Sequence, residues 1–87
     1  MSIEPPSNFN FDSQNRTLNW DGVLGATNYE ILFKADNPIS TWAIAYTDGV
    51  DTECTFEQPT GYYKAKGRTS GEGGWGLYGP EETVIVT

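Results

Sequence analysis

The side chains of this sequence that could take part in chemistry fall into three small groups. The first, Asp48, Asp51 and Glu53, places three carboxylates within six residues. That spacing does not match a calcium-binding loop and is typical of an acidic hairpin turn. It also suits a glycosidase pair poorly, because such a pair needs a cleft and one carboxyl group with a raised pKa. The second group is Cys54, which alternates with Phe56 and is expected to point inward as a small apolar residue.

The third group is a strip of cations. Lys64, Lys66 and Arg68 are spaced by two residues, so they share one face of a predicted strand. One interpretation is a site for an anionic glycan or an acidic protein surface. The other is cross-strand pairing with acidic neighbours: Glu30, and Glu81 or Glu82. We favour the second, because charged side chains are the usual covering of an exposed face.

The composition excludes several kinds of chemistry. The chain has 87 residues with one cysteine and no histidine. A Ser-His-Asp or Cys-His nucleophile is therefore excluded, and four Cys or His ligands for a structural zinc are not available. A single cysteine also cannot form an internal disulfide. We expect no metal, no cofactor and no enzymatic activity.

The charge balance argues against nucleic acid as a partner. Five basic residues stand against twelve acidic ones, for a net charge of −7. A duplex-binding protein needs the opposite balance to displace counterions from phosphates. No apolar run approaches the ~18 residues of a membrane span, so no membrane insertion is expected. The sequence from Met1 to Pro6 lacks the layout of a secretory signal, and Met1 fits either a native start or an initiator added to a fragment.

Apolar residues alternate with polar ones along the whole chain, which predicts β-strands. Turn residues separate seven candidate strands, and no helix, repeat or linker is predicted, so residues 1–87 form a single all-β domain. The strand around Trp42, Ile44 and Tyr46 is expected to pack in the core, with stacking of a sugar ring as the alternative. The predicted core comprises seven residues: Phe11, Leu18, Trp20, Tyr29, Ile31, Phe33 and Phe56.

The stretch from Leu18 to Ile31 resembles the fibronectin type III family. Trp20 matches the core tryptophan of that family's second strand, and Tyr29-Glu-Ile31 matches its third strand after a Gly-Ala turn. Further similar positions are Pro5-Pro6, Gly71 to Trp75, and Gly79-Pro80. The resemblance covers nearly the whole chain and implies a seven-stranded antiparallel β-sandwich, immunoglobulin-like, with fibronectin type III topology.

One position departs from the family pattern. The family has a tyrosine six residues before the small residue that ends the sixth strand, and counting back from Gly67 reaches Gly61. Tyr62 and Tyr63 follow directly. The resemblance therefore implies either that Tyr62 forms the tyrosine corner through a bulge or that the corner is built differently.

The glycine-rich segment from Gly71 to Gly79 is the best candidate binding site in the sequence. It contains five glycines and three large side chains, Trp75, Leu77 and Tyr78. Aromatic anchors on a loop held by a rigid scaffold are typical of binding surfaces. The alternative, which we favour, is that these side chains fold back over the sandwich and close its core.

These features predict a non-catalytic structural or binding module. We expect a phage virion surface component, either a capsid decoration or a fibre- or tail-associated protein, which mediates adhesion to a protein or to the host surface. The basis is the family resemblance, the methionine start without export signal or disulfide, and an acidic surface that keeps a high-copy protein soluble. The expected partners are virion capsid or tail proteins, or a cell-surface glycan, and the expected location is the virion surface.

The alternative is an adhesion or spacer module from a secreted bacterial multidomain protein, such as a glycan-degrading enzyme, with an extracellular location. Under either interpretation, recognition would depend on the loop residues Trp75, Leu77 and Tyr78 or on the cationic strip.

Overall fold

The computed structural model describes residues 3–87, and the prediction about Met1 lies outside them. No segment of residues 3–87 forms a helix of the length and apolarity needed to cross a bilayer. The described residues form eight strands: β1 (Ser7–Asp12), β2 (Thr17–Asp21), β3 (Asn28–Ala35), β4 (Ala43–Gly49), β5 (Glu53–Thr55), β6 (Gly61–Gly71), β7 (Gly74–Trp75) and β8 (Glu82–Val86).

The strands form two antiparallel sheets that pack face to face. One sheet has three strands in the order β1-β2-β5. The other has five strands, in the order β4-β3-β6-β7 with β8 also pairing with β6. All pairs are antiparallel, which confirms the predicted all-β sandwich.

The structure has eight strands where seven were predicted, because the last strand is interrupted. β7 and β8 lie along β6, with β7 at its C-terminal end and β8 at its N-terminal end. Between them, Gly76 donates its N–H to the Thr69 oxygen and Gly79 donates to the Gly67 oxygen, at 2.8 and 2.9 Å. Leu77 and Tyr78 are extra residues between these two bonds, so the chain bulges outward and rejoins the edge of β6.

Trp20 lies at the centre of the core between the two sheets. It is 4% exposed, and its ring centre lies 6.2 Å from that of Tyr29 and 5.5 Å from that of Tyr46. Of the seven predicted core residues, five are buried, while Phe11 and Phe33 are partly buried and pack against the others. Four further residues complete the buried apolar cluster beyond Phe9: Tyr63, Ala65, Val84 and Val86.

Strand β4 does not follow the alternation that was predicted for it. Ile31 pairs with Tyr46 but the next residue, Leu32, pairs with Ile44, so Ala45 is an extra residue in the ladder. This bulge turns Ala45 and Tyr46 toward the core and leaves Ile44 60% exposed. Core packing of Ile44 is therefore wrong, because a single inserted residue reverses the faces of a strand.

The tyrosine corner is formed by Tyr63 and not by Tyr62. Tyr63 is 8% exposed, and its hydroxyl donates to the backbone oxygen of Pro59 at 2.7 Å. This bond, reaching back a few residues at the start of the strand, is the geometry of the corner in immunoglobulin-like sandwiches. Tyr62 points to the opposite face and is 65% exposed.

Residues 50–52 connect the two sheets, so the segment from Asp48 to Glu53 does not form the predicted acidic hairpin. β4 belongs to the five-stranded sheet and β5 to the three-stranded one, so they are not hydrogen-bonded neighbours. Asp48 takes a positive φ of 62° where the chain leaves β4. The hydroxyl of Tyr46 lies 3.2 Å from both the backbone N–H and a carboxylate oxygen of Asp51. Because this tyrosine stands over Gly49, any side chain there would clash with it.

Two contacts join the edges of the sandwich. Glu82 accepts hydrogen bonds from the backbone N–H groups of Asn8 and Phe9, at 3.2 and 2.9 Å. Pro6, which is buried, packs where a side chain on Gly67 would otherwise lie. These contacts hold β1 and the Pro6 that precedes it against β8 and β6.

Candidate functional site

The pairing of β3 with β6 gathers four cations on the outer face of the five-stranded sheet. Lys34 lies opposite Lys64, and Glu30 lies opposite Arg68. Lys66 lies on β6 between Lys64 and Arg68. Directly paired residues point to the same side of a sheet. The inward positions of β6 are buried and alternate with these partly exposed cations, so they share the outer face.

The aromatic side chains of the glycine-rich segment lie on the same face. Trp75 pairs with Ser70, and its ring centre is 4.4 Å from the guanidinium carbon of Arg68. The bulge after β7 carries Tyr78 over the sheet, where its ring centre is 5.1 Å from both Arg68 and Lys66. The cationic strip and the loop aromatics, predicted as two separate candidates, therefore form one surface.

Trp42, just before β4, completes this surface. Its ring centre lies 4.4 Å from the Lys66 ammonium and 5.4 Å from that of Lys34. Packing of Trp42 in the core is wrong, because the side chain stacks on cations of the outer face. We call the resulting surface the cation–aromatic face, formed by Lys34, Trp42, Lys64, Lys66, Arg68, Trp75 and Tyr78.

Rings and cations alternate along this face. The order is Trp42, Lys66, Tyr78, Arg68, Trp75, and each cation lies within 5.1 Å of the ring centre on either side. A cation over a ring is attracted by the negative π face. The stacking therefore limits the rotation of two long, charged side chains.

Glu30 stands at the centre of the face as an internal carboxylate. Its Oε1 accepts a hydrogen bond from Arg68 Nε at 2.9 Å and a short one from the Tyr78 hydroxyl. The hydrogen bond from Tyr78 is the main cause that holds the pKa of Glu30 below its usual value. Burial raises this pKa, and the hydrogen bond and charge of Arg68 lower it further. Burial and the Glu30 carboxylate raise the pKa of Tyr78. Arg68 therefore donates to Glu30 through its Nε. Among the hydrogen bonds of residues 3–87, none is donated by the two Nη groups of Arg68.

The predicted pairing of the cationic strip with glutamates holds at one position and not at another. Arg68 pairs with Glu30 as expected. Glu82 instead binds the backbone of β1, so it does not reach the strip. Lys64 donates to the Thr83 hydroxyl at 3.0 Å. Leu77, the third loop candidate, is 78% exposed.

Charge is distributed unevenly over the molecule. Four of the five basic residues lie on the cation–aromatic face, although the chain as a whole carries −7. The fifth, Arg16, lies in the β1–β2 turn, where it donates to the Thr87 and Gln58 backbone oxygens and stacks on Phe11. The face is therefore a positive surface on an acidic protein.

An open cavity of about 600 Å³ adjoins this face at the β6–β7 turn. Its walls are Ile3, Gly25 and the segment 71–75, so most of its lining is glycine backbone. Glu72 is its one charged side chain. The cavity has no cation of its own, and Trp75 is the side chain that it shares with the cation–aromatic face.

The remaining candidates carry no comparable arrangement. Residues 3–87 contain no cluster of three or more carboxylate or thiol groups that could hold a metal ion. Cys54 is half-buried and free, and burial raises its pKa to about 11, so the thiol is protonated at neutral pH.

Two residues of the cation–aromatic face were not predicted from the sequence. Lys34 was not assigned to the cationic strip, and Trp42 was expected to pack in the core. Lys34 could have been found, because it follows Phe33 and shares the alternation that turns Glu30 outward. Trp42 could not, since its direction depends on the bulge in β4.

A solved structure is similar to this chain over its whole length. It is a Fn3-like protein from Clostridium thermocellum, 18% identical, with a TM-score of 0.71 over 100% of this chain and 96% of that one. No protein-family profile matches the sequence, and no curated protein matches it. The chain therefore has a fibronectin type III-like fold, as its sequence predicted.

Proposed function

We propose that this chain is a non-catalytic binding module whose cation–aromatic face recognises a carboxylate-rich protein surface. The observation that carries the proposal is the alternation of Trp42, Lys66, Tyr78, Arg68 and Trp75 across the sheet. Four cations gathered on one face of a molecule with net charge −7 provide a local positive field.

The stacking prepares the cations for binding. A lysine or arginine in water loses side-chain entropy when a partner fixes it, about 0.5–1.5 kcal/mol for each side chain. Lys66 and Arg68 are already held between rings, so much of that loss has occurred before the partner arrives. The planar guanidinium of Arg68 offers its two Nη groups to a carboxylate, and arginine, tryptophan and tyrosine are the residues most enriched at interface hot spots.

The geometry favours a protein partner over a glycan. A sugar binds an aromatic residue by stacking on its ring face. On Trp42, Tyr78 and Trp75 a ring face is already covered by a lysine or an arginine. What the face offers a partner is the N–H groups of its lysines and of Arg68, which suit carboxylates and backbone oxygens.

Titration with poly-L-glutamate, followed by tryptophan fluorescence, tests the proposal. We expect binding at ~0.1 M salt that weakens as the salt concentration is raised, because the electrostatic screening length shortens to ~3 Å at 1 M. Lys66→Gln and Trp75→Ala should each lower the affinity several-fold while the far-ultraviolet circular dichroism stays unchanged. Arg16→Gln is the matched control, since it removes one positive charge away from the face and should leave the affinity as it was.

Equal loss of affinity in Lys66→Gln and Arg16→Gln would contradict the proposal, because binding would then follow net charge and not the face. A Trp75→Ala protein that unfolds would mean that Trp75 closes the sandwich. In that case Lys66→Gln, which removes no core contact, decides the question.

The proposed setting is the virion surface, where the module would decorate a phage capsid or attach to a fibre or tail. An acidic molecule repels its own copies in solution and stays dispersed, while many weak contacts on a lattice raise avidity by ~10²–10⁴. The alternative setting is a secreted bacterial multidomain protein, such as a glycan-degrading enzyme.

Immunogold microscopy of the source culture with an antibody against this domain separates the two settings. Label on particle shells or tails supports the virion. Label on cell envelopes or on free secreted enzymes supports the bacterial alternative.

A further inference from the structure

The outer face of the three-stranded sheet has the opposite character to the cation–aromatic face. Leu18 and Trp20 point inward, so Asn19 and Asp21 point outward from β2. Pairing places further polar residues beside them: Asn10, Asp12 and Glu53. We call this surface the acidic face. Strands β1, β2 and β5 contain no lysine or arginine.

The two faces also differ in hydrogen-bonding capacity. Lysine ammonium, arginine guanidinium and tryptophan N–H groups donate and do not accept, so the cation–aromatic face is rich in donors. Carboxylates accept several hydrogen bonds each, and asparagine and threonine oxygens also accept. Asp12 accepts three bonds from Gln14 and Asn15 in its own turn. Asp21 accepts one bond from Asn8, and Glu53 accepts none among the hydrogen bonds of residues 3–87. The acidic face therefore has acceptors available.

The faces lie on opposite sides of one thin sandwich. The molecule measures 37 × 29 × 18 Å, and the shortest dimension corresponds to two packed sheets. The acidic face is the smaller of the two, because its strands have six, five and three residues. A contact through the acidic face is therefore smaller than a standard protein interface, which buries about 800 Å² on each partner, and we expect it to be weak.

From this complementarity we infer that the carboxylate-rich partner of the cation–aromatic face is a second copy of this chain, docked through its acidic face. The inference rests on the proposed function and names the partner. Two cation–aromatic faces cannot meet each other, because their lysines and arginines would repel. The contact is therefore heterologous, and it leaves one face free at each end of a pair.

Such a contact can repeat. A heterologous interface that does not close into a ring adds copies in an open stack. The net charge of −7 on each copy opposes this at very low salt. At ~0.1 M salt the screening length is ~10 Å, so distant charges are screened while facing charges still attract. We expect stacking to be strongest near that salt concentration and to fall at ~1 M.

Complementation between two variants, measured by sedimentation velocity at ~0.1 M salt, tests the inference. Asp21→Asn with Glu53→Gln removes two of the three carboxylates of the acidic face, and Lys64→Gln with Lys66→Gln removes two of the four cations of the cation–aromatic face. We expect the mass of the wild-type protein to rise with concentration up to several hundred micromolar. Each double variant alone should remain a monomer, while an equimolar mixture should form a one-to-one dimer and stop there, because each dimer has used its two intact faces.

Three results would overturn the inference: a wild-type protein that stays monomeric over the whole concentration range, a mixture that forms no dimer, or a double variant that dimerises alone. The same wild-type sample, titrated with poly-L-glutamate, separates this failure from that of the proposed function. If the wild-type protein stays monomeric but still binds poly-L-glutamate through Lys66, the proposed function stands and the second copy is not its partner. A protein that neither self-associates nor binds poly-L-glutamate would contradict both the proposed function and the inferred partner.

Discussion

The ammonium group of Lys66 lies 4.4 Å from the centre of the Trp42 ring, so a side chain of β6 reaches across β3 to the edge of β4. This contact joins three strands on their outer side. It stands on the face opposite the buried cluster around Trp20, and it turns a tryptophan that precedes an edge strand into part of a binding surface.

A double-mutant cycle on Trp42→Ala and Lys66→Gln should give a small coupling energy. We expect about 0.5–1 kcal/mol in the free energy of unfolding, the size of an exposed cation–π pair, measured by urea denaturation. Trp42→Ala alone should cost much less than the 3–5 kcal/mol typical of a buried tryptophan. A loss in that larger range would place Trp42 in the core and contradict the stacked geometry.

Tyr63→Phe should lower the free energy of unfolding by about 1 kcal/mol, because it removes the hydrogen bond to the Pro59 oxygen and leaves a part-buried acceptor without its donor. Tyr62→Phe is the matched control on the neighbouring, exposed residue and should change stability by less than about 0.5 kcal/mol. Thermal unfolding of both proteins checks the pair. Equal effects of the two substitutions would argue against Tyr63 as the corner.

Gly67→Ala should destabilise the protein by about 1–3 kcal/mol through overpacking. A methyl group there would meet Ile31 Cδ1 at 2.6 Å and Pro6 Cγ at 2.9 Å. Gly73→Ala in the β6–β7 turn is the control, because nothing lies within 4 Å of the added carbon. Urea denaturation of both variants provides the measurement, and a Gly67→Ala protein as stable as Gly73→Ala would mean that Pro6 does not pack against β6.

Glu30→Gln should strengthen binding of poly-L-glutamate several-fold. Glu30 occupies Arg68 and competes with an incoming carboxylate, and the neutral amide competes less. Glu57→Gln, which removes the same charge from an exposed loop, should leave the affinity nearly unchanged. Weaker binding by Glu30→Gln would instead mean that Glu30 is needed to orient Arg68.

The stability of the wild-type protein relative to Glu30→Gln should depend on pH. Hydrogen bonds from Tyr78 and Arg68 lower the pKa of Glu30 in the folded protein. Its contribution is therefore fully present above the unfolded value of 4.5 and is lost as the pH falls through the lower folded pKa. Thermal unfolding at pH 7 and at about pH 3 should show a difference between the two proteins that shrinks at the lower pH. A stability difference that is the same at both pH values would contradict the view that Glu30 is ionised when it accepts these hydrogen bonds.

The sandwich could be predicted from sequence because its signals are local. Alternation around Leu18 and Trp20, and the Tyr29-Glu-Ile31 stretch, identify inward and outward positions without knowledge of the partner strand. The solved Fn3-like structure confirms the predicted fold. The strand count differed because the pairing of β7 with β6 involves two residues inside a segment whose glycines indicate a loop.

The composition of the site could be predicted in part, and its assembly could not. Lys64, Lys66 and Arg68 were found from their spacing, and Trp75 and Tyr78 from their place in a flexible segment. Whether these two sets meet depends on the bulge that moves Tyr78 over the sheet. Inserted residues in a ladder carry no periodic signal, and the same limitation hid the outward direction of Trp42.

The interruption between β7 and β8 has a consequence for the variability of this protein. Hydrogen bonds from Gly76 and Gly79 hold the chain to β6 on both sides of the bulge, so Leu77 takes no part in the ladder and stands largely in water. Substitutions or short insertions at Leu77 would alter what the neighbouring Tyr78 presents without opening the sandwich. Selection, natural or in a display library, could therefore retune specificity at that one point while the scaffold stays constant.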